Sequence, residues 1–443
     1  MTEKHRNFKK IIPYATAAVL SLLLFAVTMY FTMPALMRRT KMYAVLFAAD
    51  IYLWLRLKDL SSSKFKNSKV AVTAFTVLYW APYMLFMGLT LFQLIKGTSY
   101  INAPDFYNLK GACTMVYLFK LLIAGILLVY DLVVACLRRH KGRDYRPAVA
   151  RHILSIFGVL CLLFTGMAIW GMTYAAHHFM VRQVEIRTTH KAFQDKPLRI
   201  VHISDIHLGT WRNQRTVQQI VNLVNEQHGD MVVFTGDMIQ SSSKEMLPYL
   251  DVLAQIKAPL GVYSILGNHD YGTYSDFRTD EARAEDMAKL EKYHQQIGWT
   301  LLRNESRQVP WNNDSVTVAG IEFWCDKPMN INTGNPKKTF LHVSDSNYVI
   351  FLCHSPEMWK EITRRPWPAD LTLCGHTHGM QAGILNPHLR LSPAVLMYRQ
   401  WGGLYTNSQN QEQQMYVNPG LASTGMPARF GMYPEITVIS ICN

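Results

Sequence analysis

The 443-residue sequence is poor in cysteine and contains no Cys-x-x-Cys pair. Its seven cysteines are dispersed, at positions 113, 136, 161, 325, 353, 374 and 442. Paired cysteines at short spacing are the usual mark of zinc–thiolate sites, and a dense cysteine pattern is the mark of a disulfide framework. We therefore predict neither kind of site in this protein.

Acidic residues are scarce in the first 180 positions, which hold 6 Asp and Glu against 21 Lys and Arg. The remaining positions hold 25 acidic and 24 basic residues, so the net charge of +14 lies wholly in the first part. Nucleic-acid binding requires a positive field around the phosphate backbone. The near-neutral second part is therefore not expected to bind nucleic acid, which also disfavours a nuclease.

The first part carries long apolar runs, which predict a polytopic membrane domain over residues 1–180. All but the second of these runs reach the roughly 20 residues that cross a bilayer core. The second run is short and contains Asp50, so it either spans poorly or lies in the interface. The predicted spans are approximately 11–33, 42–55, 70–95, 112–137 and 152–176.

Basic loops predict the orientation of this domain, because Lys and Arg favour the cytoplasmic side. Residues 138–151 carry six basic side chains against Asp144, whereas the preceding loop is nearly neutral. The 138–151 loop is thus expected inside the cell, which places residues 181–443 outside. Arg38, Arg39 and Lys41 fit this orientation only if the second run does not cross, so four or five spans remain open.

Two ionisable residues, Lys120 and Asp131, lie within the fourth apolar run and on one helix face. Charged groups at such depth indicate function by default. The alternative is that one or both side chains reach an interface, and the sequence does not decide between the two interpretations.

From residue 198 onward the pattern changes to short β-rich runs that alternate with amphipathic helices, which predicts an α/β fold. The segment 178–197 is polar and mixed, and we interpret it as the connection to this domain. Residues 213–227 predict a helix with Val217, Ile220, Val221 and Val224 on its apolar face. A further helical stretch is expected at about 244–257.

Metal-competent side chains follow five of the predicted strands, at the point where each strand ends. In open α/β sheets, ligands gather beyond the carboxyl ends of the strands. Residues two apart in an extended chain also point to the same side, so Asp205 with His207, and His376 with His378, can converge. These strand ends are DIH (205–207), GD (236–237), GNHD (267–270), CH (353–354) and GHTH (375–378).

Imidazole, carboxylate and amide ligands in combination suit Mn, Fe or Zn better than Ca. Two such ions about 3.5 to 4 Å apart, bridged by a carboxylate, can polarise a phosphoryl oxygen and lower the pKa of a bound water. The residues at the strand ends therefore predict a site for divalent metal ions, where a pair of ions would have this chemistry.

The ordered series of five motifs resembles the calcineurin-like metallophosphoesterases over roughly residues 198–442. The resemblance implies a pair of β-sheets flanked by helices and a metal-dependent phosphoric ester hydrolase. It also implies that Asp237 bridges the two ions and that His269 contacts the phosphoryl group and assists the leaving oxygen. The remaining ligands implied by the family are Asp205, His207 and His378 for one ion and Asn268, His354 and His376 for the other.

The membrane segment and the late motif NPGLASTGMPARFGMYPEI (418–436) are similar to the membrane-anchored bacterial branch of this family. That branch includes proteins similar to UDP-2,3-diacylglucosamine pyrophosphatases of lipid A biosynthesis, so a phosphorylated lipid or nucleotide-linked substrate is implied. Such a substrate is cytoplasmic, whereas the loop charges favour a domain outside the plasma (inner) membrane. A membrane sensor or transporter with a metal-binding, non-catalytic domain is the alternative.

The segment 382–401 is apolar in most positions and directly follows the ligand pair His376 and His378. Its composition suits the interface between lipid headgroups and acyl chains. Arg390 and Arg399 within it are predicted to bind substrate phosphate, because arginine offers bidentate contacts to phosphate. The alternative is that this segment packs on the protein itself.

Overall fold

The computed structural model describes residues 46–57, 68–96, 104–141 and 153–443, except for residues 276, 278, 326–330, 345 and 366. These residues form two compact units. One consists of the described parts of Met1–Phe86 and Cys113–Phe164, and the other of the described parts of Met87–Ala112 and Thr165–Asn443.

The N-terminal part is helical, with α1 at 46–57, α2 at Lys69–Lys96, α3 at Pro104–Lys141 and α4 at Ile153–Thr173. Three windows within the described residues are long and apolar enough to cross a membrane: Lys69–Phe92, Pro104–His140 and Ser155–His177. They correspond to the third, fourth and fifth predicted runs. The second run overlaps α1, and the first lies outside the described residues, so the number of spans stays a prediction.

Two ionisable residues of α3 pair with side chains of α1. Nζ of Lys120 lies 2.8 Å from Oδ1 of Asp50, which is fully buried. Asp131 accepts a hydrogen bond from Tyr52 at 2.7 Å and pairs with Arg56. Lys120 therefore does not reach out to an interface, because its charge is held inside the helical unit. Asp131 and Arg56 are both partly exposed.

The C-terminal part is an α/β domain with two six-stranded sheets, as the sequence predicts. The strands are β1 Met180–Arg187, β2 Leu198–Ile203, β3 Met231–Phe234, β4 Val262–Ser264, β5 Thr300–Leu301, β6 Glu305–Trp311, β7 Asp314–Gly320, β8 Tyr348–Leu352, β9 Leu371–Cys374, β10 Ile384–Leu385, β11 Arg390–Leu391, β12 Gly403–Asn407, β13 Asn410–Val417 and β14 Glu435–Cys442. The first sheet has the order β1-β14-β2-β3-β4-β5, and the second has the order β12-β13-β9-β8-β7-β6. A small antiparallel pair, β10 and β11, forms a separate two-stranded sheet.

The two sheets enclose a shared apolar core, and side chains alternate between its two faces as the pleat requires. Ile200 of β2 belongs to the core between the sheets, whereas the next residue, Val201, packs in the outer core with the helices. The helices of this domain are α5 Gln214–Asn225, α6 Leu250–Leu253, α7 Asp280–Gln296, α8 Pro336–Thr339 and α9 Trp359–Arg364.

Helix α5 confirms the predicted amphipathic helix, since Val217, Ile220, Val221 and Val224 are all buried. Asn213 caps its start by accepting a hydrogen bond from the Thr216 amide. The helical stretch predicted at 244–257 is shorter and tighter than expected. It consists of a 3₁₀ segment, Ser243–Tyr249, followed by α6, because Pro248 has no amide hydrogen to donate.

The segment interpreted as a connection contains a strand that the sequence analysis missed. Strand β1 pairs in parallel with β14, the last strand of the chain. Only Ile186 of β1 is fully buried, because the strand lies at the edge of the sheet. An edge strand of this kind has a mixed polar pattern, which resembles that of a linker.

Parallel pairing brings the predicted ligand segments to common sheet edges. Strands β2, β3 and β4 are parallel neighbours in the first sheet, and β8 and β9 are parallel neighbours in the second. Each of these five strands is followed, after at most two intervening residues, by one of the five motifs.

Candidate metal centre

The side chains that follow the five strands converge in three groups, and the group of His207, Asp237 and His269 shares a residue with each of the other two. One group is Asp205, His207 and His378, and another is Asp237, His354 and His376. In each group the ligand atoms lie within 4.8 Å of one another. All six side chains except that of His376 are buried.

Asp237 lies where the groups meet. Its Oδ2 atom is 3.2 Å from Nε2 of His354 and 3.6 Å from Nε2 of His207. Its Oδ1 atom accepts a hydrogen bond of 2.8 Å from the amide of His269. The carboxylate is thus the one side chain of the set that faces both groups of imidazoles.

Imidazole nitrogens face one another across both groups. Nε2 of His207 lies 3.3 Å from Nε2 of His378, and Nδ1 of His376 lies 3.2 Å from Nε2 of His354. Two lone pairs at this distance repel each other unless a proton or a cation lies near both. The donor set therefore fits a pair of divalent cations.

Two buried polar atoms of the site have no hydrogen-bond partner among the described residues: Oδ1 of Asn268 and Nδ1 of His207. A buried polar atom without a hydrogen-bond partner lowers the stability of the folded state. The amide group of Asn268 donates through Nδ2 to the hydroxyl of Tyr274 at 3.2 Å, which leaves its oxygen directed away from that bond. A buried amide oxygen without a hydrogen-bond partner is available to bind a metal.

The charges of the site also favour cations. Burial alone would raise the pKa values of Asp205 and Asp237, but the surrounding imidazoles hold both pKa values below the ordinary range. Burial lowers the pKa values of His207 and His376 to about 3, so both rings are neutral and able to bind a metal. Burial opposes protonation of His354 as well, yet the charge of Asp237 raises its pKa to about 10. A proton on His354 then occupies the place that a cation would take.

Backbone groups orient the ligands. Nδ1 of His354 donates to the carbonyl of Thr235 at 2.6 Å, so its Nε2 faces Asp237. Nδ1 of His378 lies 3.2 Å from the carbonyl of Ala422, so its Nε2 faces Asp205. A carbonyl partner on the second nitrogen is the usual way in which metal-binding histidines are held.

Asp270 fixes the loop that carries the bridging carboxylate. It accepts hydrogen bonds from the amides of Asp237 at 2.8 Å, Gly267 at 2.9 Å and Ile239 at 3.1 Å. Burial, reinforced by the nearby charge of Asp237, raises the pKa of Asp270 to about 7. Asp270 is the last residue of the GNHD motif, but this role was not predicted from the sequence.

The ligands occupy an uncommon backbone conformation. Asp205, His207, Asp237, His376 and His378 all have positive φ, between 38° and 73°. Asp and His tolerate the left-handed region better than most residues do, but each such residue still costs about 1 kcal/mol or more. This strain indicates that ligand placement takes precedence over local backbone preference at these strand ends.

His269 lies at the edge of the same cluster. Its Nδ1 donates to the carbonyl of Gln240 at 2.8 Å, and its ring stacks on Tyr274 with the centroids 4.1 Å apart. Burial lowers its pKa. His269 also falls within 4.8 Å of ligand atoms of His207 and Asp237, so its geometry is compatible with either a catalytic or a ligand role.

Three residues around the site were not anticipated from the sequence. The hydroxyl of Tyr398 lies 3.2 Å from Nε2 of His376, and Tyr274 contacts both Asn268 and His269. Arg429 is fully buried, and its guanidinium donates to the carbonyls of Ala422, Gly420 and Pro419. Tyr398 lies within the segment 382–401 that the sequence analysis singled out, but contacts across the fold were needed to recognise all three.

The two arginines predicted to bind substrate lie beyond the cluster. Arg390 is exposed, donates to the carbonyl of Leu404 at 2.9 Å and lies 5.3 Å above the ring of Tyr405. Arg399 lines a cleft of about 800 Å³ together with Tyr398, Lys360 and Arg364. Of the two, Arg399 is adjacent in sequence to a residue that contacts His376.

Comparison with known proteins agrees with this geometry. Residues 198–380 match the family described as calcineurin-like phosphoesterase. The fold, the clustered His and Asp side chains and this match define the chain as a metal-dependent phosphoric ester hydrolase. It contains a calcineurin-like metallophosphoesterase domain, which confirms the resemblance predicted from the five motifs.

Proteins similar in sequence to this chain include a transmembrane protein. The chain is 29% identical over 415 residues to the "Transmembrane protein with metallophosphoesterase domain" of Danio rerio, covering 89% of this chain and 87% of the relative. It is 29% identical over 250 residues to the "Uncharacterized metallophosphoesterase YkuE" of Bacillus subtilis, covering 55% and 78%. It is 25% identical over 324 residues to the "UDP-2,3-diacylglucosamine pyrophosphatase LpxG" of Chlamydia muridarum, covering 61% and 92%. The first match extends beyond the catalytic domain into the helical part, so this is a membrane protein.

Proposed function

We propose that this protein is a membrane-anchored, two-metal phosphoesterase that hydrolyses a phosphomonoester, phosphodiester or pyrophosphate bond on a lipid or cell-envelope substrate. The observation that carries the proposal is the position of Asp237, whose carboxylate lies 3.2 Å from the buried imidazole of His354 and 3.6 Å from that of His207. Two divalent ions held there would polarise the phosphoryl group and activate water for its attack.

The side chains divide into holding and reacting roles. Asp205, His207 and His378 would hold one ion and Asn268, His354 and His376 the other, with Asp237 shared. His269 would lie against the phosphoryl group and assist the leaving oxygen through Nε2, since its Nδ1 is engaged by Gln240. Mn, Fe and Zn all accept this mixture of imidazole, carboxylate and amide ligands.

The lipid or envelope substrate is supported by two independent observations. Three helices among the described residues are long and apolar enough to cross a membrane. One relative carries the name of a UDP-2,3-diacylglucosamine pyrophosphatase, which supports a substrate that carries acyl chains.

We propose that residues 1–180 anchor the chain in the plasma membrane by four or five spans and that residues 181–443 lie on its outer side. On that side the substrate would be a lipid or cell-envelope phosphoester other than the cytoplasmic, nucleotide-linked one. A membrane-impermeant maleimide should then label a cysteine introduced at exposed Leu341 in intact cells.

Turnover by the purified full chain tests the proposal. The chain in detergent, supplied in turn with Mn²⁺, Fe²⁺ or Zn²⁺, should hydrolyse bis(4-nitrophenyl) phosphate, and Asp237→Asn should abolish this activity. Asp286→Asn is the matched control, because Asp286 is another buried carboxylate but bonds only to Ser242 and Ser243 among the contacts described. Turnover by Asp237→Asn at the parent rate would refute the two-metal assignment.

A second candidate function is a membrane sensor or transporter whose phosphoesterase-like domain binds metal without turnover. The observation that favours it is the buried Lys120–Asp50 pair within the helical unit, since such pairs frequently mark ion pathways. Metal binding without hydrolysis of any phosphoester, combined with loss of a membrane current or flux in Asp50→Asn, would support this candidate.

A further inference from the structure

The segment after the metal ligands exposes an unusual number of apolar side chains. Leu396 is 87% exposed, Leu391 61% and Val395 60%. We define the apolar lip as the exposed residues Ile384, Leu389, Leu391, Val395, Leu396 and Met397. Contiguous exposed apolar surface on a folded domain marks an interaction site.

The lip is held in a defined conformation by secondary structure and by packing beneath it. Strands β10 and β11 form its first part, and the 3₁₀ turn Pro393–Leu396 forms its second. The opposite faces of the same elements turn inward, because Leu385, Ala394 and Tyr398 pack with Trp401 and Met432. Ser392 fastens the turn by donating to the carbonyl of Gly379 at 2.7 Å. The outward residues are therefore held in place by a packed base.

Backbone hydrogen bonds connect the base of the lip to α4 through the short segment that contains Arg429 and Phe430. Gly383 donates to the carbonyl of Phe430 at 2.8 Å, and Phe430 donates to the carbonyl of Gln381 at 2.7 Å. The neighbouring amide, that of Arg429, donates to the carbonyl of Gly171 in α4 at 3.2 Å. Because Gly171 lies within the candidate span Ser155–His177, the lip stands close to the membrane surface.

Two further features match a bilayer. Trp170 packs edge-on against Tyr433, and Tyr174 stacks on His178, so aromatic residues collect at the end of the span, as in membrane interfaces. Residues 371–411 contain no Asp or Glu but include Arg390 and Arg399. A segment with exposed apolar side chains, two arginines and no acidic residue is complementary to anionic lipid headgroups.

We propose that the apolar lip inserts into the bilayer beside α4 and delivers a phosphoester carried by a membrane lipid to the metal centre. Tyr398, which immediately follows the lip, lies with its hydroxyl 3.2 Å from Nε2 of His376. A lipid whose acyl chains contact the lip can thus place its headgroup at the metal ligands. The delivery of substrate rests on the function proposed above, whereas insertion of the lip does not.

Insertion is tested on the full chain in vesicles of phosphatidylcholine and phosphatidylglycerol. Leu396→Cys is labelled with an environment-sensitive fluorophore, with Leu341→Cys as the matched control, because Leu341 is 67% exposed but lies outside the lip. Labelled parent protein corrects for the native cysteines. We expect lipids with spin labels on their acyl chains to quench the probe at 396 and not the probe at 341.

Equal access of aqueous iodide to both probes would overturn the insertion. Protection of position 396 from iodide without quenching by the spin-labelled lipids would overturn it too, since protein and not lipid would then cover the lip. These readouts do not depend on hydrolysis, so they are separable from a failure of the proposed function.

Delivery is tested by comparing two substrates. The double variant Leu396→Ser/Met397→Ser should raise the KM for a phosphodiester of a bilayer lipid about tenfold, which corresponds to a loss of about 1.4 kcal/mol of apolar contact. Its kcat/KM for soluble bis(4-nitrophenyl) phosphate should stay within about twofold of the parent value, and Leu341→Ser should change neither. An equal loss on both substrates, or no loss on the lipid, would overturn delivery by the lip.

Discussion

Replacement of His269 by Ala separates catalysis from metal binding at this site. A positioned group that transfers a proton contributes typically 10²- to 10⁴-fold in rate. We therefore expect kcat to fall by that factor, which corresponds to about 3 to 5 kcal/mol in the activation free energy. Metal content should be unchanged, because the other ligand atoms of both groups are in place without His269.

Measuring the metal content distinguishes a catalytic role of His269 from a ligand role. The distinction is needed because His269 lies within 4.8 Å of ligand atoms of His207 and Asp237. Elemental analysis of the purified variant and of the parent protein gives the number of ions per chain. His269→Asn is the matched variant, since its side-chain amide can still donate to Gln240 while offering no nitrogen in the place of Nε2. It should be as slow as His269→Ala if the proton at Nε2 matters, and nearly as fast as the parent protein if only the bond to Gln240 matters.

Leaving-group dependence provides the second check. A phenolate departs without help from an acid, whereas an alkoxide requires a proton. The loss caused by His269→Ala should therefore be much larger for an alkyl phosphodiester than for a 4-nitrophenyl ester. Because burial lowers the pKa of His269, its acid form is a minority at neutral pH, and the parent rate on the alkyl ester should rise as the pH falls. Loss of metal in proportion to activity, or an equal loss for both esters, would refute this role.

Three further predictions concern the carboxylate shared by the site, a buried arginine and a buried histidine of α7. Asp237→Asn should lower the metal content by at least one ion per chain, as measured by elemental analysis, because the carboxylate faces both groups of imidazoles. Arg429→Met should lower the free energy of unfolding by about 3 kcal/mol or more, measured by denaturant titration, because it leaves several buried carbonyls without a donor. Burial lowers the pKa of His294 to about 4, so the folded state binds fewer protons than the unfolded state and its stability should fall as the pH drops from 6.5 to 4. His294→Gln should lose less stability than the parent protein over that window, by up to roughly 3 kcal/mol.

The α/β fold and the clustering of the predicted ligands were accessible from the sequence, because they follow from local rules. Each parallel strand is a short apolar run, and the residue that follows it must lie at the sheet edge. The convergence of Asp205 with His378, and of Asp237 with His354, could therefore be predicted without any knowledge of tertiary packing.

The features that were not predicted from the sequence depend on contacts between distant parts of the chain. Strand β1 is recognisable only through its partner β14, more than 200 residues away. Tyr398 reaches His376 through the packing of the lip, and Arg429 reaches the carbonyl of Ala422 through a buried turn. None of these contacts produces a hydrophobic periodicity or a motif in the sequence, because each depends on a partner that is not a sequence neighbour. The same holds for Lys120, whose partner Asp50 lies in an apolar run that looked too short to span.

The contact of Arg429 with Gly171 bears on how such an enzyme can be released from its membrane. The guanidinium of Arg429 bonds to the turn that holds His378, while its amide bonds to Gly171 in α4. A Cβ atom at Gly171 would lie 2.7 Å from the ring of Phe430, so the fit at this position is tight. Proteolytic shedding at the start of β1 would keep every predicted ligand but remove the helix against which the turn rests. Cleavage there is therefore expected to switch the catalytic domain off, and not to produce a soluble active form.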